Sequence, residues 1–160
     1  MYKVGTLTIC VLLLLSVAQA RQARGQFSIH AASDQAVPGW NRTQFQDKTI
    51  WVNPMISLSP SEILRALQTA EPNGRLSVDI TFTDAGAQKM RNLSAAQKDK
   101  LIAMVLDGMV IFAPRVRGEM GKEAQITGDQ PTGLSAAIVD RLLGAINDLP
   151  DDLPVQRRLK

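Results

Sequence analysis

The chain has 160 residues, 45% of them hydrophobic and 21% charged, with a formal net charge of +3. This is the composition of an ordinary globular domain and excludes disordered and fibrous classes. A charge so close to zero gives no reason to expect nucleic acid or an anionic membrane as the partner.

Residues 1–20, MYKVGTLTICVLLLLSVAQA, have the pattern of a secretory signal peptide. Lys3 supplies the positive start, Val4 to Val17 is nearly all apolar, and Ala18-Gln19-Ala20 gives the small-x-small cleavage pattern. An uncleaved membrane anchor is the alternative, although the apolar run is short for a comfortable span. Cys10 lies inside that run rather than at its end, which disfavours a lipid-attachment site. Cleavage after Ala20 would leave 140 residues with a net charge of +2, since Lys3 is the only charged residue removed. A chain of that size can bury a real core without disulfides, in keeping with the lack of any cysteine after Cys10. The product is expected to be exported, periplasmic or extracellular, with no membrane span after cleavage.

Residues 21–47 read as a lead-in strand and loop. FSIHA alternates, with Phe27, Ile29 and Ala31 on one face and Ser28 and His30 on the other, whereas SDQAVPGWNRTQFQD is rich in turn formers. Residues 48–148 are expected to form one α+β domain, and KTIWVN opens it as a short strand. Ser59, Pro60 and Glu62 then carry the signals of a helix start: cap, first-position proline and capping box, with Leu58 and Ile63 as a hydrophobic staple. The spacing of Ile63, Leu64, Leu67 and Ala70 predicts a helix ended by Pro72-Asn73-Gly74.

LSVDITF alternates strictly and predicts a strand with Leu76, Val78, Ile80 and Phe82 inward. Thr83 or Asp84 caps a helix through Met90, and Ser94 with Gln97 suggests a separate further turn. LIAMVL is continuously apolar, as an interior strand would be, and Met109 to Ala113 is its hairpin partner, stopped by Pro114. AQIT returns as a short strand, and Ser135 to Asn147 is an amphipathic helix with Ile138, Val139, Leu142 and Ile146 on one face. Residues 149–160, with two prolines and mixed charge, read as a flexible tail. The expected fold is a mainly antiparallel sheet with about three helices packed on one face.

Candidate chemistry is sparse. Asp107-Gly108, between two apolar runs, reads as the corner of a type I′ turn rather than as a catalytic acid, because both central positions need positive φ. His30 is the only histidine and reads as a solvated side chain. With one histidine and no cysteine after Cys10, the usual zinc and copper sites have no ligand set, and Asp148, Asp151 and Asp152 read as a solvated group in the tail. No phosphate-cradling glycine pattern or nucleophile elbow occurs. Catalytic, cofactor-binding and metal-binding residues are therefore all expected to be none, and no cofactor is expected. Arg115, Arg117 and Lys122 read as a solvated basic loop that could alternatively meet an acidic partner. Of Trp40 and Trp51, one is expected in the core and the other at a contact surface. Asn41-Arg42-Thr43 and Asn92-Leu93-Ser94 match the glycosylation pattern, which is short enough to occur by chance.

Taken in order, VDITFTDAGAQKM, LIAMVLDGMVIFAP, AQITG and the final amphipathic helix resemble the large periplasmic head subdomain of SecD, an accessory membrane subunit of the bacterial protein-export translocase. The resemblance rests on Phe82, Thr83, Asp84, Gly86 and Ala87; on Val105, Leu106, Asp107, Gly108, Ala113 and Pro114; and on Gln125 to Gly128. It is strongest from Leu76 to Ile146, and FSIHA and VPGW resemble the family's lead-in. The chain departs from the family at Asp99-Lys100, where Gly-Lys is usual, at Met109, where a lysine is usual, and at DQPTGLS after Gly128. The proton-coupled membrane helices of SecD have no counterpart in this sequence. The resemblance implies a non-catalytic protein-binding module that contacts translocating or unfolded polypeptide. A small sheet can accept an extended chain at an unpaired edge, and the edge candidates are Ala124 to Thr127 and Phe27 to Ala31. The alternative is the same fold serving another envelope partner or ligand, since a fold does not fix a function.

Overall fold

The computed structural model describes residues 25–127 and 134–147. The expected signal peptide, the tail expected to be flexible with Asp148, Asp151 and Asp152, and the DQPTG stretch lie outside them. The described elements are β1 (Phe27–Ser33), β2 (Asn41–Phe45), β3 (Lys48–Val52), a 3-10 turn (Pro60–Glu62), β4 (Ile63–Ala70), β5 (Leu76–Phe82), α1 (Asp84–Ala96), β6 (Leu101–Leu106), β7 (Met109–Phe112), β8 (Glu123–Thr127) and α2 (Ala136–Asn147).

The α+β class and the antiparallel pairing are as expected, but the strands form two sheets. One has the order β2-β3-β1-β6-β7 and the other β4-β5-β8. Helices α1 and α2, two among the described residues rather than the three expected, pack with both sheets around one core that includes Ile29, Leu58, Ile80, Phe82, Met90, Ile102, Met104, Ile126, Val139 and Leu142. A smaller cluster of Ala32, Ile50, Val52, Leu101, Ala103 and Ala113 fills the other face of the five-stranded sheet. That sheet curls, bringing edge strands β2 and β7 close together. LIAMVL is therefore buried on both faces, which explains its uninterrupted apolar sequence.

The helix expected from Ser59 to Ala70 is a single 3-10 turn followed by a strand. Several start signals do form: Glu62 Oε2 accepts from the Ser59 N–H at 2.7 Å and Pro60 sits in the first turn, while the Ser59 hydroxyl donates to the Glu62 carboxylate at 2.7 Å. The helix goes no further because Ile63 turns extended and β4 pairs with β5 along its length, from Ile63↔Phe82 to Ala70↔Leu76. A bulge at Leu64 resets the register, so Ile63 and Ala66 face the core while Leu64 and Leu67 stay 47% and 45% exposed. Local helix propensity is a weak term, and a full ladder under α2 overrides it. Pro72-Asn73-Gly74 is accordingly the β4–β5 turn: Glu71 N–H donates to Arg75 O at 2.8 Å, and Gly74 takes a φ of 80°.

Three smaller differences have equally local causes. The turn-rich stretch before Lys48 contains β2, which pairs with β3 in full register; its mostly exposed edge position explains the polar NRTQF sequence. Helix α1 runs unbroken through Ala96, so Ser94 does not start a new turn. Its hydroxyl is buried, donating to Arg91 O at 3.0 Å and accepting from the Met120 N–H at 2.9 Å. His30 is buried rather than solvated. Nδ1 lies 2.8 Å from the Asn53 carbonyl, which can only accept, so Nδ1 carries the proton and Nε2 accepts from the Ser28 hydroxyl at 2.8 Å.

Candidate functional site

Each sequence candidate has a structural place. Asp107 and Gly108 have φ of 51° and 80°, as a type I′ corner requires. The Asp107 carboxylate also accepts from the Gln26 N–H at 2.7 Å and pairs with Arg141 on α2, so this corner clamps the incoming chain at Gln26 against the last helix. The cations of the basic loop are exposed, as expected, and two of them make surface contacts: Arg115 pairs with Asp34 and donates to Asp99 O at 2.6 Å, and Lys122 reaches Asp84 at 2.9 Å. These partners hold the Asp34 and Asp84 carboxyls below the usual aspartate range, through the hydrogen bond from Arg115 and from Lys122 respectively. Arg117 is exposed. Trp40 packs against the main core, and Trp51 is half-buried in β3. Asn41 and Asn92 are exposed, but the Ser94 of the second triplet is buried. None of these residues converges with another into a catalytic constellation. Among the described residues no group of three or more His, Cys, Asp or Glu is placed to hold a metal ion.

One hub of contacts explains the FTDAG stretch. The Glu62 carbonyl accepts from Thr83 N–H at 2.9 Å and from Thr83 Oγ1 at 3.2 Å, while Thr83 Oγ1 caps α1 by accepting from Gly86 N–H at 3.0 Å. Gly86 lies against the same carbonyl so closely that any Cβ would collide with it. Burial raises the pKa of the Glu62 carboxyl, but hydrogen bonds from Lys89 and Ser59 and the Lys89 charge outweigh it and hold the value at about 2. The hub fastens the start of β4 to the start of α1. It joins the three-stranded sheet to α1.

That sheet carries the remaining feature. Its outer face presents side chains in rows across the strands: Arg65–Thr81–Glu123, then Leu67–Asp79–Gln125, then Thr69–Ser77–Thr127. Gln125 Nε2 donates to Asp79 at 2.7 Å, and Thr69 and Ser77 hydroxyls bond at 2.8 Å. A cleft of about 350 Å³ lies over the first two rows.

The backbone edges of the same sheet are unequal. Phe82 N–H donates to Lys122 O, and Thr83 N–H donates to Glu62 O. Antiparallel strands alternate between hydrogen-bonded and non-bonded pairs, so even-numbered residues of β5 bond β8 and odd-numbered ones bond β4. It follows that Glu123, Gln125 and Thr127 turn their N–H and C=O groups away from the sheet, as do Ala66, Gln68 and Ala70 on the opposite side. On β4 this edge is occupied. The Asn147 amide donates to Ala66 O at 3.1 Å and accepts from Ala66 N–H at 3.3 Å, imitating a neighbouring strand. On β8 no strand among the described residues pairs with the outer edge.

The edge expected at Ala124 to Thr127 is therefore present. The one expected at Phe27 to Ala31 is not, because β6 pairs with one side of that stretch and the other side is bonded as well. There Ile29 N–H donates to Leu58 O, Ile29 O accepts from Ser57 N–H and Ala31 O accepts from Asn53 N–H, with β3 pairing beyond them at Ala32 and Ser33. That placement follows from its neighbours: apolar LIAMVL on one side and KTIWV on the other both need a partner, and β1 is buried along most of its length. The role of Asn147 was not readable from the sequence, since its partner Ala66 is 81 residues away.

Comparison with known proteins gives a consistent result. The family described as "SecDF, P1 head subdomain" matches residues 31–139. The protein translocase subunit SecD of Acidaminococcus fermentans is 35% identical over 74 residues, covering 46% of this chain and 18% of the relative. A solved structure described as "a membrane component SecDF that enhances protein export" superposes with a TM-score of 0.59 at 20% identity, covering 77% of this chain and 62% of that one. SecDF in its super-membrane-facing form gives a TM-score of 0.58 at 23% identity, covering 77% of this chain and 18% of that one. At these identities the superpositions speak for the fold alone. The chain spans under a fifth of the length of the SecD relative.

Proposed function

Because this chain belongs to the SecDF P1 head subdomain family, we propose that it is a non-catalytic module that binds extended or unfolded polypeptide during protein export. The observation that carries this reading is the outer edge of β8, a short row of backbone donors and acceptors beside a cleft. Such an edge accepts an extended chain through main-chain bonds, which do not demand a particular sequence. A folded client offers no equivalent strand, because its backbone groups already bond one another.

Export of the module itself belongs to the same proposal, with residues 1–20 acting as a cleaved signal peptide. No helix among the described residues is long and apolar enough to cross a membrane. Sequencing the N-terminus of material recovered from outside the cytoplasm is expected to begin at Arg21. An intact Met1 in the membrane fraction would show an anchor instead.

Affinity is expected to be weak, because ordering an unfolded segment offsets much of the contact energy. The test is titration of the labelled protein with reduced, carbamidomethylated α-lactalbumin and with the same protein folded and disulfide-intact. Binding of the unfolded form alone is the expected result. Equal signals for both forms, or none up to about 1 mM (the range of weak association), would put another envelope partner or ligand in first place.

A further inference from the structure

We infer that the polypeptide-binding surface is the β8 edge alone, that a client adds there as an antiparallel strand, and that Glu123 favours a basic client residue opposite it. This rests on the polypeptide-binding reading and goes further by naming the surface, the register and a side-chain preference. The other edges are each compromised. Edge strands β2 and β7 of the five-stranded sheet lie close to each other. On β4, Asn147 takes both outward backbone groups of Ala66, in the middle of the strand, so no continuous segment can run along it. Among the described residues this leaves Glu123, Gln125 and Thr127, whose outward N–H and C=O groups offer three bonding positions along β8.

In an antiparallel addition, residues opposite these three form hydrogen-bonded pairs and point their side chains to the outer face. The first row would then read Arg65, Thr81, Glu123 and the client residue. Glu123 is exposed, and no ion pair or side-chain hydrogen bond is recorded for it among the described residues. A lysine or arginine opposite it continues the alternation of charge across the row, whereas an acidic residue meets like charge directly. In the second row Gln125 has its Nε2 committed to Asp79, which leaves Oε1, an acceptor, as its remaining polar atom. Both rows therefore favour donor side chains. A second copy of this chain fits less well: pairing β8 with itself about Gln125 would set Thr127 opposite Glu123 and leave the carboxylate without a cation.

Two peptides and three variants test this. The peptides are about twelve residues long, alternating valine and threonine, with one central lysine or one central glutamate at the strand position (a length sufficient for a strand). The lysine peptide is expected to bind the purified protein about 3-fold or more tightly than the glutamate peptide, the scale of one cross-strand charge pair. Glu123→Lys, an exposed substitution that leaves the fold intact, is expected to invert that order. Gln125→Pro removes an outward N–H without breaking a backbone bond inside the sheet, although it also loses the exposed side-chain bond to Asp79, and is expected to weaken both peptides and unfolded α-lactalbumin at least 10-fold. Gln68→Pro makes the same change on the β4 edge and is expected to leave binding unchanged.

If unfolded α-lactalbumin binds but neither Gln125→Pro nor Glu123→Lys alters its binding or the peptide order, the edge inference is wrong and the binding reading survives. If the peptides bind with the expected edge dependence while unfolded protein does not, the edge stands and the client reading fails. Absence of all binding overturns both. Concentration-dependent dimerisation abolished by Gln125→Pro would assign the edge to a second copy and also overturn the inference.

Discussion

Two corners of this domain carry equally explicit local signals, yet only one leads to the structure its sequence suggests. At Asp107-Gly108 the turn residues, the flanking apolar strands and the tertiary contacts agree, and the chain turns back as a hairpin. At Ser59 to Glu62 the cap, the proline and the glutamate assemble as they would at a helix start, and the helix is abandoned after one turn. The difference lies in what comes next. MVIFA has its partner a few residues away, so local and global preferences coincide. For ILRALQTA the deciding partner is β5, whose odd-numbered residues need bonding on that side. A capping signal specifies where a turn starts; the neighbour decides how long it lasts.

The largest effect should come from the contact that fastens the Ser59 corner to α1. Gly86→Val places a branched side chain against the Glu62 carbonyl, where backbone would have to move. A destabilisation of about 3 kcal/mol or more is expected, at the high end for overpacking, measured by urea denaturation. Gly108→Val at the other corner should cost less, about 1–2 kcal/mol, because its site is open and the strain is confined to positive φ. If Gly108→Val proved the more damaging, the corner at Ser59 would be a passive consequence of β4 rather than its anchor.

Charge distinguishes the corners more finely. Glu62 has a folded pKa of about 2, lowered from 4.5. A carboxyl with a depressed folded pKa adds stability that is fully present above its unfolded value. That stability is lost as pH falls from about 4.5 towards 2. Glu62→Gln should therefore destabilise by about 1–2 kcal/mol at neutral pH, less than the full shift implies because Lys89 is half-exposed, and should flatten the stability profile below pH 4.5. An unchanged acid limb in the variant would contradict this. Asp107→Asn should have the smallest effect, under about 1 kcal/mol, since asparagine suits the turn and the lost partner Arg141 is largely exposed.

Much of the fold was legible because its signals are short-range. The alternation of Leu76 to Phe82, the unbroken apolar run of β6, the Asp107-Gly108 corner and the stripe of α2 each lie within one segment. The FTDAG, LDG and AQITG stretches in order were specific enough to indicate the family. What was not legible depends on distant residues. Leu64 and Leu67 have helical spacing, and only pairing with β5 turns them outward. His30 sits on a strand face that reads as polar but is buried, with the Asn53 carbonyl, 23 residues on, against its ring. The division into two sheets, and the closing of β4 by Asn147, follow from packing that no local window contains. The candidate site was half legible: AQIT was recognisable as a strand and as an edge, whereas the burial of β1 required knowing that β3 and β6 flank it.

Hydrogen exchange at single amides tests the central claim most directly. In the free protein the N–H groups of Glu123, Gln125 and Thr127 point away from the sheet and should exchange quickly, whereas Ala66, bonded to Asn147, should exchange more slowly. Adding unfolded α-lactalbumin at saturating concentration should slow the three β8 amides at least several-fold, within the range that an opening equilibrium permits, and leave Ala66 unchanged. Protection that appears elsewhere while Glu123, Gln125 and Thr127 keep their free rates would contradict the account.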